Sequence, residues 1–223
     1  MWKNILAFVV ALGIGFLIVV ALQPNTYRVT KTRVIDAAPE VVFDQLDDFA
    51  SWRTWSPWDG RDPDAVVEIG GAPEGVGAWY TWEGNSDVGK GRMEIVESSP
   101  PARIQWRLEF VEPFEDQSDT WMELEPADGS TRVTWQMEAG LDSFGKAFNL
   151  FVNFSEMIGA DFEDGLDRLD RRVAVVLEAR AAEEAAAAEA AEQDESGEDG
   201  TDEADEADEA DEASGDEDAA AVE

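Results

Sequence analysis

The sequence predicts an α+β fold in the order β-α-α-β6-α: a curved antiparallel sheet wrapped around a long C-terminal helix, plus an N-terminal transmembrane helix. Three observations predict it. Six strand-length segments between Ala65 and Ala139 are broken by Gly, Pro, Asn and Asp turns, and several alternate apolar with polar residues. Ser143 to Ala190 carries apolar residues at every third or fourth position, a face that must bury against something, and the sheet is the one large apolar partner. An uncharged run, Ile5 to Leu22, precedes them all.

That run is roughly 27 Å long as a helix, close to the ~30 Å hydrocarbon core of a bilayer. Trp2 stands where an interfacial aromatic belongs, Lys3 marks the cytoplasmic side, and Gln23-Pro24-Asn25 ends the span. The rival reading is a cleaved signal peptide ending at Val19-Val20-Ala21, although the apolar run exceeds a usual h-region. Arg28, Lys31 and Arg33 would favour a domain kept inside, but they alternate with Val29 and Val34 in a predicted strand and read as part of the fold. The expectation is a single-pass membrane protein with its domain on the non-cytoplasmic (periplasmic or extracellular) side. The organisation is 1–24 anchor, 25–182 folded domain and 183–223 acidic tail.

Strand one is Tyr27 to Ile35. Ala37-Ala38-Pro39-Glu40 opens a helix, with Pro in its first turn, whose stripe is Val41, Val42, Phe43, Leu46 and Phe49. Trp52, Trp55 and Trp58 follow around Ser56-Pro57 and predict a short second helix or turn, read as a clasp at the mouth of the cup or a loop gating it. The six further strands are Ala65–Ile69, Gly77–Trp82, Gly89–Glu97, Arg103–Val111, Ser118–Glu125 and Ser130–Ala139. Ile104, Trp106, Leu108 and Phe110 share one face; Val133, Trp135 and Met137 share another, so one side of the sheet is buried and one is wet. The last helix spans Ser143 to Ala190, with a break expected near Gly159 or Gly165.

Net charge is −35, from 16 basic and 51 acidic residues. Glu183 to Glu223 holds 20 of the acidic residues and no basic one, including Asp-Glu-Ala repeated four times from Asp202. Such a segment has no apolar face to bury, so chain entropy keeps it disordered beyond Gln193, as a solubilising bristle or a tether for a basic protein partner. A polyanion without a basic cluster repels phosphate backbones, which excludes nucleic acid. With no Cys and no His, thiolate nucleophiles, Cys/His zinc sites and Ser-His-Asp triads are excluded, and no cofactor or metal is expected.

Several stretches resemble a known family when taken together. These are Ile35-Asp-Ala-Ala-Pro-Glu-Val-Val-Phe43, Phe49-Ala-Ser-Trp-Arg-Thr-Trp-Ser-Pro-Trp58, Trp82-Glu-Gly-Asn85 and Gly89-Lys-Gly-Arg-Met93. Pro101-Ala-Arg-Ile104, Leu108-Glu-Phe110 with Pro113-Phe114, Thr131-Arg-Val-Thr-Trp135 and Ile158-Gly-Ala-Asp-Phe-Glu-Asp-Gly-Leu166 complete the pattern. From Tyr27 to Arg172 the chain resembles the START-like, polyketide cyclase/dehydrase-like (SRPBCC, helix-grip) superfamily. The resemblance implies a deep apolar cup between sheet and C-terminal helix; relatives include lipid and sterol carriers, aromatic polyketide cyclases and chaperone co-regulators.

Trp82, Trp106, Trp135, Met137, Phe151 and Phe154 are the candidate cavity-lining residues, each with plain core packing as its rival role. Glu94, Glu109 and Glu138 fall by alternation on the solvated face, and Glu83 stands alone at a strand end. No acid/base pair is evident, so no catalytic residue is assigned. The sequence thus predicts a membrane-held, non-catalytic cup for an apolar or lipid-like small molecule. The alternatives are a cyclase/dehydrase-type enzyme using a cup carboxylate and a protein-interaction module.

Overall fold

The computed structural model describes residues 1–113 and 115–198, with side chains through residue 193. Of the tail expected to be disordered beyond Gln193, residues 194–198 are helical, and residues from 199 on lie outside the described residues. The chain divides into two units, Met1–Leu177 and Glu178–Glu223. In the second, the described residues are helical and exposed through residue 193.

Helix α1 (Trp2–Leu22) is long and apolar enough to cross a membrane, and Val20 is its one buried residue. Gln23 to Asn25 then lead straight into strand β1 (Thr26–Ile35). The stripe expected as one helix past Pro39 forms two, α2 (Pro39–Phe43) and α3 (Phe49–Trp55). The carboxylate of Asp48 accepts from the Ser51 N–H at 2.8 Å and starts the second helix afresh. The turn between them keeps Val42, Phe43, Leu46 and Phe49 all in the core.

Strands β2 (Val66–Gly71), β3 (Ala78–Glu83), β4 (Lys90–Ser99), β5 (Arg103–Glu112), β6 (Asp116–Ala127) and β7 (Ser130–Gly140) join β1 in one antiparallel sheet. Its order is β1-β7-β6-β5-β4-β3-β2. Irregularities between β4 and β5 at Lys90/Gly91 and Ile95/Glu97 bend it toward a cup. The predicted alternation holds: Ile104 and Trp106 of β5, and Val133, Trp135 and Met137 of β7, are buried on the inner face.

The final apolar stretch is two helices, α4 (Ser143–Asn149) and α5 (Phe154–Glu198). The break falls at Leu150–Asn153, and not at Gly159 or Gly165. Asn149 Oδ1 accepts from the Phe154 N–H at 3.1 Å, and the Asn153 backbone oxygen accepts from Met157 at 3.1 Å. These two asparagines end one helix and begin the next. Both glycines stay helical and serve close approach. A Cβ on Gly165 would sit 2.6 Å from the Trp135 ring, and one on Gly159 would sit 2.9 Å from Lys31 Cε.

Phe162, Leu166, Leu169 and Val173 of α5 are buried against the sheet. Edge strand β1 clips the flank of this helix: Lys31 pairs with Glu163, and Arg33 pairs with Asp167 and, at 2.8 Å, with Asp170. Val34, which alternates with these cations, is exposed.

The two ends of the sheet differ. One end gathers the close of β1, the starts of β5 and β7 and the close of β6; there Ile35, Leu46, Ile104, Met122, Val133 and Leu169 are buried in one apolar cluster. The other end gathers the start of β1, the close of β7, the β3–β4 and β5–β6 connections and the start of β2. It is the open end.

Candidate ligand cavity

A cavity of about 710 Å³ lies at the open end, between the inner face of the sheet, the segment after α3 and the first turns of α5. Its floor is made by Met93, Thr120, Trp135 and Met137, all buried. Its walls are Tyr80, Trp82, Leu108 and Phe110 from the sheet, with Trp58 from the segment after α3, and Ile158 and Phe162 from α5. Period-two spacing builds the sheet wall: Tyr80 and Trp82 alternate on β3, and Leu108 and Phe110 on β5, pointing the same way as Ile104 and Trp106.

Trp82 is set by a glycine. Gly91 is its cross-strand partner, and a Cβ there would lie 2.5 Å from the indole. The missing side chain lets the ring lie across β4 toward Phe110, which it meets edge-on at 5.8 Å. The indole N–H donates to the Val88 carbonyl at 2.9 Å. Trp135 is fixed in a similar way: Phe162 stacks on it at 4.0 Å, and its N–H donates to Thr120 Oγ1 at 2.8 Å. Thr120 in turn donates to the Gln136 carbonyl at 2.8 Å. The polar atoms of the floor are thus satisfied within the protein and ask nothing of a ligand.

Charged side chains also line the cavity, and several of them are paired with one another. Arg53 Nε donates to Asp59 at 2.9 Å, and Arg61 pairs with Asp161, tying the segment after α3 to α5 across the mouth. Asp62 accepts from the Asn85 N–H at 2.6 Å and joins the same segment to the β3–β4 loop. The Tyr80 hydroxyl is pushed up from its ordinary pKa, by burial first and by Asp59 second, with Arg53 opposing. Tyr27 on β1 is pushed up to about 12, chiefly by burial.

Of the sequence-predicted residues, Trp82, Trp135 and Met137 lie on the cavity and Trp106, Phe151 and Phe154 do not. Trp106 shares the inner face but is wholly buried against Trp52, at 5.6 Å, and its Nε1 has no partner. Phe151 is 78% exposed and lies 6.4 Å from Phe16 of α1. Phe154 stacks on Tyr27 at 5.8 Å. The break between α4 and α5 explains the last two, because residues on either side of it no longer share one helical face. Tyr80, Met93, Leu108 and Phe110 were missed, although the alternation that marks Trp82 and Trp106 also marks their strand mates. Ile158 belongs to the apolar periodicity of the last helix, whereas Met157 had no such signal.

The three closely spaced tryptophans divide. Trp52 and Trp55 are core, joined edge-on at 4.5 Å, and Trp55 donates to the Gln45 carbonyl at 2.9 Å. Trp58 is part-exposed, stacks on Trp52 at 6.3 Å and faces the cavity. Glu83, expected to stand alone, pairs with Lys90 at 2.6 Å. Glu138 pairs with Arg28, and Glu94 with Arg92 at 2.8 Å, on the outer face.

A curved antiparallel sheet closed over a long helix, with an apolar cavity between them, defines a helix-grip cup. Residues 26–174 match the family model described as polyketide cyclase / dehydrase and lipid transport, and the chain belongs to that family. Solved structures share the fold. A protein from Thermus thermophilus superposes with a TM-score of 0.50 at 20% identity, over 67% of this chain and 99% of its own. A Mesorhizobium loti protein superposes with a TM-score of 0.50 at 13% identity, over 66% and 96%. A search of curated proteins finds no match.

Proposed function

We propose that the cup binds an apolar, lipid-like small molecule without transforming it, and that α1 holds it at a membrane. The observation that carries the reading is the cavity. Its volume of about 710 Å³ suits one small ligand, its floor and walls are largely aromatic, aliphatic and thioether side chains, and the indole N–H groups of Trp82 and Trp135 are already engaged. The carboxylates Asp59 and Asp161 on its wall are held by arginines. The family description, which includes lipid transport, fits such a role.

The test is a titration of the full chain with a long-chain dibrominated alcohol, read by quenching of tryptophan fluorescence. Saturable, stoichiometric quenching is expected, and Leu108→Trp, which fills the cavity, should weaken it at least tenfold with little change in melting temperature. Linear, unsaturable quenching in both proteins would defeat the carrier reading.

Anchoring rests on the length of α1, about 31 Å at 1.5 Å per residue, against a ~30 Å bilayer core. Lys3 in the first turn of the helix favours a non-cytoplasmic domain, since Arg28, Lys31 and Arg33 are used within the fold. A mature chain whose sequence begins at Leu22 would replace the anchor with a signal peptide. The enzyme alternative draws on Asp59, which lies on the cavity wall and acts on the buried Tyr80. A substrate whose turnover vanishes in Asp59→Asn while its binding persists would select it.

A further inference from the structure

Helix α4 and the turn after it carry three of the exposed aromatic side chains among the described residues. Phe144 is 67% exposed, Phe148 45% and Phe151 78%, and the first two stack at 6.3 Å. Phe144 and Phe148, four residues apart, share one face of α4, and Phe151 follows in the turn after it. From Phe144 to Phe154 the single charged residue is Lys146, in a chain that is otherwise densely acidic. Lys146 is turned back to Asn25 at the foot of α1.

Two observations say what covers these rings. The first is the contact between Phe151 and Phe16. Phe16 lies six residues inside the end of α1 at Leu22, so Phe151 sits about 9 Å along the helix axis from that end. Amphipathic helices at membranes bury their apolar faces about 5–10 Å into the boundary between headgroups and acyl chains. The second is topology. β1 follows α1 directly, and the start of β1 lies at the same end of the sheet as the β3–β4 loop and the β5–β6 turn that rim the cavity. Met157, just past these aromatics and 52% exposed, is itself on that rim.

Resting on the reading that α1 spans a bilayer, we infer that α4 and the turn after it, Phe144 to Phe151, lie embedded in the leaflet beside α1, so that the mouth of the cup opens onto the lipid. The occupant of the aromatic face is the bilayer itself. A ligand then passes between acyl chains and the Trp82–Met137 cavity past Met157, without crossing bulk water.

The chain contains no cysteine, so single cysteines can report depth without background. The full chain is placed in phosphatidylcholine nanodiscs with a spin label at one of four positions: Phe16→Cys, Phe144→Cys, Phe151→Cys or Ala102→Cys. Ala102 is an exposed position in the β4–β5 turn, at the far end of the sheet. Power saturation compares collisions with oxygen, which partitions into lipid, against a water-soluble nickel chelate. Labels at 16, 144 and 151 should favour oxygen and the label at 102 the chelate. A label in lipid at 16 with labels in water at 144 and 151 would overturn the inference and leave the anchor standing. A label in water at 16 would overturn the anchor reading, and the inference with it. Position 144 keeps the test decisive if the Phe151 variant folds poorly.

Discussion

The two ends of this sheet are built from the same strands with the same alternation, yet one is solid and the other hollow. On β5, Ile104 and Leu108 point to the same face four residues apart. Ile104 is wholly buried among Met122, Ile95 and their neighbours, whereas Leu108 borders the cavity. The difference comes from what the helices supply. At the solid end α2, the turn after it and α5 deliver Val42, Leu46, Leu166, Leu169 and Val173 to the core. At the hollow end, the first turns of α5 offer Ile158 and Phe162, and the segment after α3 offers Trp58, which form walls and leave the middle empty. Alternation along a strand states which way a side chain points; it does not state whether anything waits on the other side.

The largest expected effect breaks the solid end. Ile104→Ala should cost about 2–5 kcal/mol, as for a large-to-small change in a core that cannot collapse. Leu108→Ala, on the same strand and face, should cost only about 1 kcal/mol, because a cavity wall already lacks partner atoms on one side. Denaturant unfolding of the two variants measures the contrast, and equal costs would mean that the cavity is filled in solution.

Gly91→Ala comes next, at about 1–3 kcal/mol for overpacking. The new methyl would meet the Trp82 ring at 2.5 Å and the Glu109 carbonyl oxygen at 2.6 Å, and the backbone oxygen cannot step aside. Trp82 must leave its seat, so near-ultraviolet circular dichroism should change along with stability. Ligand uptake should weaken too.

A smaller effect is expected at the mouth. The Arg61–Asp161 pair is partly exposed, and such pairs contribute roughly 0.2–1 kcal/mol. Arg61→Ala should leave the melting temperature almost unchanged but release ligand several-fold faster in stopped-flow measurements, since it unties the segment after α3 from α5. Slower release would show that the pair props the mouth open.

The smallest effect belongs to Asp47, beside the solid end. Its pKa is raised, by burial first, against a hydrogen bond from Ser98, with Glu74, Asp48 and Asp44 adding to the rise. A carboxyl raised on folding binds its proton more tightly in the folded state. It therefore costs no stability below the ordinary aspartate range, and its penalty grows as pH rises through the folded value and persists above it. Asp47→Asn should be slightly more stable than the parent at neutral pH, with the advantage gone below pH ~4. Chemical denaturation at the two pH values checks this, and a less stable variant at neutral pH would assign Asp47 a structural bond that Asn cannot replace.

The sheet was legible in the sequence because β5, β6 and β7 show period two over long stretches, and their turns carry Gly, Asp or Pro. The helix break at Leu150–Asn153 was not. Leu150, Phe151 and Val152 continue an apolar rhythm, and the capping asparagines at 149 and 153 resemble ordinary polar-face residues until their hydrogen bonds are seen. That one misreading placed Phe151 and Phe154 inside the cup. Trp135 and Met137 were legible as inner-face residues, but whether such a residue borders a void or a neighbour depends on side chains dozens of positions away. Trp106 and Trp82 illustrate it: one is packed on Trp52 away from the cavity, and the other, beside Phe110, borders it.

The joint between α1 and β1 has a mechanical consequence. Three residues, Gln23 to Asn25, can span at most about 11 Å when fully extended. They are further pinned: the Leu141 N–H donates to the Asn25 carbonyl at 2.7 Å, and Lys146 holds the Asn25 side chain. With α1 in a bilayer, the cup has no tether on which to swing. On the proposed carrier reading it would be a moored vessel and not a ferry, exchanging cargo only with the sheet of lipid it stands on or with a carrier that comes alongside.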